Sequence, residues 1–107
     1  PLTGQVPTDL SVDEAILAAR NVGIYTLVAL QDAIGSLDRV EQVVRTFGMV
    51  NAAPGFTEHP RVIDGFSNLF IDIFGEKGRG ARSAVGMSSL PFNIPVEVEI
   101  TIKILAE

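Results

Sequence analysis

Val96-Glu97-Val98-Glu99-Ile100-Thr101-Ile102-Lys103-Ile104 alternates apolar and polar residues without a break. Successive side chains of a strand leave on opposite faces. Val96, Val98, Ile100, Ile102 and Ile104 therefore make one apolar face, and Glu97, Glu99, Thr101 and Lys103 a polar one. A sheet with one apolar face needs a second layer to bury it. Working back from this strand, Leu90-Pro91-Phe92-Asn93-Ile94-Pro95 reads as a turn. Ala81 to Leu90 reads as a strand with a face of small residues, Ala84, Gly86 and Ser88. Glycine inside a strand marks close approach by a ligand or another backbone. Gly75-Glu76-Lys77-Gly78-Arg79-Gly80 reads as a flexible connection.

The second layer comes from two helices further upstream. Glu58 to Phe74 carries Val62, Phe66, Leu69 and Ile73 at helical spacing, tolerates Pro60 in its first turn and stops at Gly75. Ser11 and Glu14 form a capping box that opens a helix over Ala15, Ala19, Val22, Thr26, Ala29 and Ala33, ended by Gly35. Ile16, Ile24, Leu27, Val28 and Leu30 put apolar surface on more than one side of it, which implies packing against a sheet and something else. Between the helices, Val40 to Val50 reads as a central strand. Val43, Phe47 and Met49 fall on one side of it and Val44, Thr46 and Val50 on the other. Pro1 to Pro7 reads as the end of a strand running into a loop. The order is strand remnant, helix, strand, helix, strand, strand: an α+β fold with two helices on one face of a mixed sheet. It forms one domain over residues 1–107.

Composition narrows the function. The chain has 107 residues, 47% of them apolar and 20% charged, as a folded globular domain does. The stretch nearest to a membrane span, Asn21 to Gln31, has eleven residues without a charge, too few to cross a bilayer, and suits a buried helix. No basic segment followed by an apolar one marks a secretory signal. The chain opens on proline and not methionine, which fits a fragment or a processed form. Eight basic and thirteen acidic residues leave a net charge of −5, which disfavours phosphate backbones as general partners. There is no cysteine, so disulfides, thiolate nucleophiles and zinc–thiolate sites are excluded.

Several familiar sites are absent. The single histidine, His59, allows neither a histidine metal cluster nor a His-based triad, and its place beside Pro60 suits a surface or capping residue. Gly86-Met87-Ser88-Ser89-Leu90 lacks the second glycine of a nucleophile elbow. The glycines at 75–80 lack the Gly-Lys-Ser/Thr ending of a phosphate loop. What survives is Arg82 with Glu97. Arg82 begins a strand after a glycine-rich loop, and its planar fork matches a carboxylate with two parallel hydrogen bonds. Glu97 falls on the polar face of the expected neighbouring strand, where a carboxylate can orient or deprotonate a water. A cross-strand ion pair without function is the alternative. Glu99 and Lys103 read as a solvated strand face, and Lys77 as part of a mobile loop.

Ala81-Arg82-Ser83-Ala84-Val85-Gly86-Met87-Ser88-Ser89-Leu90-Pro91, followed by Val96-Glu97-Val98-Glu99-Ile100, resembles the C-terminal signature of the Rid/YjgF family of reactive-intermediate (imine/enamine) deaminases. Leu37 to Thr46 is similar to that family's strand after the first helix, and Ser11–Leu30 and Phe56–Gly75 to its two helices. Val50 to Glu58 and Gly80 to Gly86 are similar to a divergent, endoribonuclease L-PSP-like subgroup. The resemblance implies a chorismate-mutase-like fold and a cytoplasmic homotrimer with a small-molecule cleft at each subunit interface. It implies a carboxylate-bearing imine or 2-keto acid as ligand and no cofactor, while the charge, the lack of a spanning segment and the lack of ligating clusters leave nucleic acid, membrane and metal unexpected. By the same resemblance Arg82 binds the substrate carboxylate and Glu97 holds the hydrolytic water. Ser83, Ala84 and Asn68 complete the substrate pocket. The chain departs from the family pattern in three places. Ala84 stands where many members have cysteine. Ser67 and Asn68 share the neighbourhood of the family's helix asparagine. Thr3-Gly4-Gln5-Val6-Pro7 stands either for the family's cleft-lining Ser-Gly strand or for a later segment just before the first helix. The short distance to Ser11 favours the later segment, which leaves the family's first strands outside this sequence.

Overall fold

A computed structural model describes residues 2–106; Pro1 and Glu107 lie outside the described residues. Helix α1 spans Val12–Ile34, strand β1 Val40–Asn51, helix α2 His59–Phe74, strand β2 Ala81–Met87 and strand β3 Val96–Ile104. The sheet order is β2-β1-β3, with β1 parallel to β2 and antiparallel to β3. The central place of β1 agrees with its apolar residues on both sides. Two helices on one face of a mixed sheet is the α+β arrangement expected.

Local chemistry sets the helix ends. Ser11 Oγ accepts from the Glu14 amide at 3.1 Å, while the Ser11 amide donates to Glu14 Oε1 at 3.0 Å. At the other end Gly35 takes φ +85°, which only glycine adopts without strain, and its amide donates to the Gln31 carbonyl. The buried stripe of α1 is Ala15, Ala19, Gly23 and Leu27. The expected stripe is right in the first half of the helix and drifts out in the second, where Ala29 and Ala33 are exposed. Small residues let the helices close on each other. A Cβ at Gly65 of α2 would strike the Ile16 carbonyl of α1, so the two backbones meet there. Phe66 and Phe70 stack at 4.6 Å beneath this contact and fill the core with Val43, Val50, Ile63 and Val96.

Strand β1 differs from its expected facing. Val40 pairs with Ile104 and Gln42 with Lys103; Val43 pairs with Ile102 and Arg45 with Thr101. Glu41 and Val44 are each one extra residue, and each bulge reverses the alternation. Val40, Val43 and Thr46 consequently all lie on the buried side, so Val43 does not share a face with Phe47 and Met49. Beyond the bulges, Thr46, Gly48 and Val50 face the helices, and a Cβ on Gly48 would meet the Ile63 side chain. The opposite face of the sheet carries no helix. It presents Phe47 and Met49 of β1, Ser83 and Val85 of β2, and the polar side of β3.

Three connections also depart from expectation. β2 ends at Met87, three residues before Leu90, because the Ser88 carbonyl turns away to accept from Gln5 Nε2 at 3.2 Å. Residues 75–80 are not a loose hinge. Gly75–Gly78 is a 3₁₀ turn whose buried Gly78 abuts the Phe70 backbone, and Gln42 Nε2 donates to the Arg79 carbonyl at 2.9 Å. Within this turn, Lys77 Nζ reaches the Val40 carbonyl at 3.4 Å. At the other end of the chain, the opening segment contributes one bridge, Val6 to Ala52, with Val6 fully buried.

Candidate functional site

Arg82 is the second residue of β2 and stands opposite Thr46 of β1, which stands opposite Ile100 of β3. All three side chains leave the sheet toward the helices. Above them, Asp64, Ser67 and Asn68 are spaced i, i+3, i+4 on α2 and share one face of it. The result is a cleft of about 330 Å³ between α2 and the β1–β2 edge, lined by Arg82, Thr46, Asp64, Ser67 and Asn68 together with Ile71, Gly78, Arg79 and Gly80. Arg82 Nη1 donates to Asp64 Oδ1 at 2.6 Å and to Ser67 Oγ at 3.4 Å. The Arg82 side chain keeps 29% of its surface exposed and Asp64 48%, so the pair sits in the mouth of the cleft and not in the core. Among the described residues, Nε and Nη2 of Arg82 have no protein partner. Arg79 is held at the rim by Glu76 at 3.4 Å.

Chemically this is a polar anion site: a guanidinium with an open donor edge, flanked by a hydroxyl, an amide and one carboxylate. Among the described residues no group of three or more His, Asp or Glu is placed to hold a metal ion, and no helix is long and apolar enough to cross a membrane.

Glu97 does not join Arg82 within one chain. β1 lies between their strands, which corrects the expected adjacency and with it the cross-strand ion pair. Glu97 stands opposite Met49, three residues from Thr46, and so leaves the sheet on the helix-free face. Ser83 opposes Phe47 on that same face, whereas Ala84 points toward the helices and packs against the core. Asn68 lines the cleft with Arg82. The sequence reading missed Asp64, although its helical spacing to Ser67 and Asn68 was available as a signal. Thr46 was placed on the correct side of β1, with Val50, but missed as a cleft residue because strand spacing alone does not say that Arg82 stands opposite it.

The small-residue face of β2 has a structural explanation. His59, in the first turn of α2, lies edge-on to Phe56 at 5.3 Å and brings Nε2 against Gly86, where a Cβ would strike it. The close approach expected at that glycine is made by a side chain. On the helix-free face, Lys103 is not simply solvated: Glu41 lies 2.8 Å from its Nζ, and that hydrogen bond and charge raise the lysine pKa above its ordinary value.

The family model described as "YjgF/chorismate_mutase-like, putative endoribonuclease" matches residues 2–103. Protein TCP17 of Trypanosoma cruzi is 42% identical over 104 residues, covering 96% of this chain and 65% of its own length. The crystal structure of Atu1372, a protein of unknown function from Agrobacterium tumefaciens, superposes with a TM-score of 0.94 at 40% identity. It covers 96% of this chain and 66% of that one. A structure titled a putative endoribonuclease, from Shewanella oneidensis MR-1, gives 0.91 at 32% identity, over 95% of this chain and 68% of that one. The chain thus spans just under two thirds of the length of the first two relatives. With almost every residue matched and the sheet and both helices superposed, the chain belongs to the YjgF/chorismate-mutase-like family.

Proposed function

We propose that the chain hydrolyses small carboxylate-bearing imines and enamines to 2-keto acids and ammonia, in clefts between the subunits of a cytoplasmic homotrimer and without a cofactor. The observation that carries this reading is the open donor edge of Arg82 in a polar cleft sized for a metabolite. Arg82 anchors the substrate carboxylate, and Asn68 and the backbone at Ser83 and Ala84 position the rest. Water adds to the imine carbon to give a carbinolamine. The C–N bond then breaks, the hydroxyl proton passes to the nitrogen as the oxygen becomes the keto oxygen, and the nitrogen leaves as ammonia. An enamine enters the same sequence after its N–H proton moves to carbon to give the imine. Imines hydrolyse readily, so positioning and one general base suffice. Glu97 is that base. Because it leaves the opposite face of the sheet from Arg82, a cleft holds both groups when Glu97 comes from a neighbouring copy.

The separation of the two residues also favours a second reading, a trimer that binds 2-keto acids through Arg82 without catalysis. The endoribonuclease description of the relatives sits poorly with a net charge of −5 and a cleft fitted to one anion. The test generates an imine with an L-amino-acid oxidase and traps what remains with semicarbazide. Faster imine loss with wild type than with buffer, abolished by Arg82→Ala, is expected. Unchanged imine lifetime, with a 2-keto acid still protecting the wild type against heat, transfers the site to the binding reading.

A further inference from the structure

We propose that Asp64 is a specificity-determining residue: it makes the Arg82 cleft select ligands that carry a protonated nitrogen beside their carboxylate over the corresponding 2-keto acids. The inference rests on Arg82 as the carboxylate anchor and goes beyond it, because the cleft already contains a carboxylate. Asp64 Oδ1 occupies Nη1 of the guanidinium at 2.6 Å and leaves Nε and Nη2 without a protein partner among the described residues. An incoming carboxylate takes that remaining edge without displacing Asp64. Two carboxylates then share the Arg82 cation and, since the other arginine of the cleft, Arg79, is paired with Glu76, one negative charge stays uncompensated.

A nitrogen on the carbon next to the ligand carboxylate resolves this. A carboxylate has room for several donors, and the hydrogen bond from Arg82 Nη1 does not fill those of Asp64. An N–H⁺ beside the bound carboxylate donates to Asp64, so a protonated 2-imino or 2-amino acid matches the Arg82–Asp64 pair group for group. A 2-keto acid instead turns a carbonyl oxygen toward Asp64, which has no proton to offer it as a carboxylate. In the proposed reaction the substrate is held through both of its charges, whereas the product has lost its donor and is repelled. Asp64 therefore favours product release as well as substrate choice.

The test is calorimetric titration of the whole chain with matched pairs, L-alanine against pyruvate and L-leucine against 4-methyl-2-oxopentanoate. Wild type, Asp64→Asn and Arg82→Ala are compared. Asn keeps the shape of Asp64 and removes its charge. Wild type is expected to bind each amino acid about tenfold more tightly than its keto acid, and Asp64→Asn to erase that preference while tightening the keto acid about tenfold. An unchanged ratio in Asp64→Asn, or a wild type that prefers the keto acid, overturns the role of Asp64 alone. Binding that survives Arg82→Ala intact, or no binding to wild type, instead removes the carboxylate anchor and this inference with it.

Discussion

At Arg82 the distinction between charge and geometry can be tested directly. Its guanidinium offers two parallel N–H donors on the edge that Asp64 leaves open, whereas an ammonium at the same place is a point charge. Arg82→Lys should therefore keep the fold and melting temperature but weaken 2-keto acid binding on the order of tenfold, measured by titration. Equal affinity of the two would mean that only net charge matters there. Arg82 was legible in the sequence because its motif, together with its position after the glycine-rich segment, singled it out. Its partner was not. Asp64 lies 18 residues earlier in the chain, and nothing in local spacing says which strand residue a helix carboxylate will meet. Gly86 shows the same limit. A glycine in a strand announces that something comes close, but only the fold shows that the visitor is the His59 ring.

The elements that were read most accurately are those whose signal is local. β3 spans Val96–Ile104, as its unbroken alternation requires, and α1 begins one residue after Ser11, as the capping box requires. Ser11→Ala removes the acceptor for the Glu14 amide and should cost about 1 kcal/mol, read from urea denaturation. β1 was misread in part because its bulges at Glu41 and Val44 break the period of two that the reading depends on. At Gly65 of α2 the contact with α1 is between backbones. Gly65→Ala places a methyl against the Ile16 carbonyl and forces the helices apart, at an expected cost of about 1–3 kcal/mol and a melting point several degrees lower. A Gly65→Ala chain as stable as wild type would show that the helices can separate at no cost.

For the molecule as a whole, the helix-free face of the sheet explains why one chain is not a complete site in this account. Phe47 and Val85 lie there half-buried with no helix over them, and Leu17, Ile24, Tyr25 and Val28 extend apolar surface along the outside of α1. The apolar excess on α1 was visible in the sequence. What covers it was not, because periodicity reports that a face is apolar and never which surface meets it. Arg82 and Glu97 leave opposite faces of the same sheet, so the proposed hydrolytic cleft combines Arg82 of one copy with Glu97 of another. The most direct test mixes two variants that should each be inactive, Arg82→Ala and Glu97→Gln, after joint unfolding and refolding, and follows imine hydrolysis. Random assembly should restore about a quarter of the wild-type rate, since each cleft draws an intact arginine and an intact glutamate independently. A mixture as inactive as its two components would show that no cleft combines the two residues from different copies, and would contradict the account.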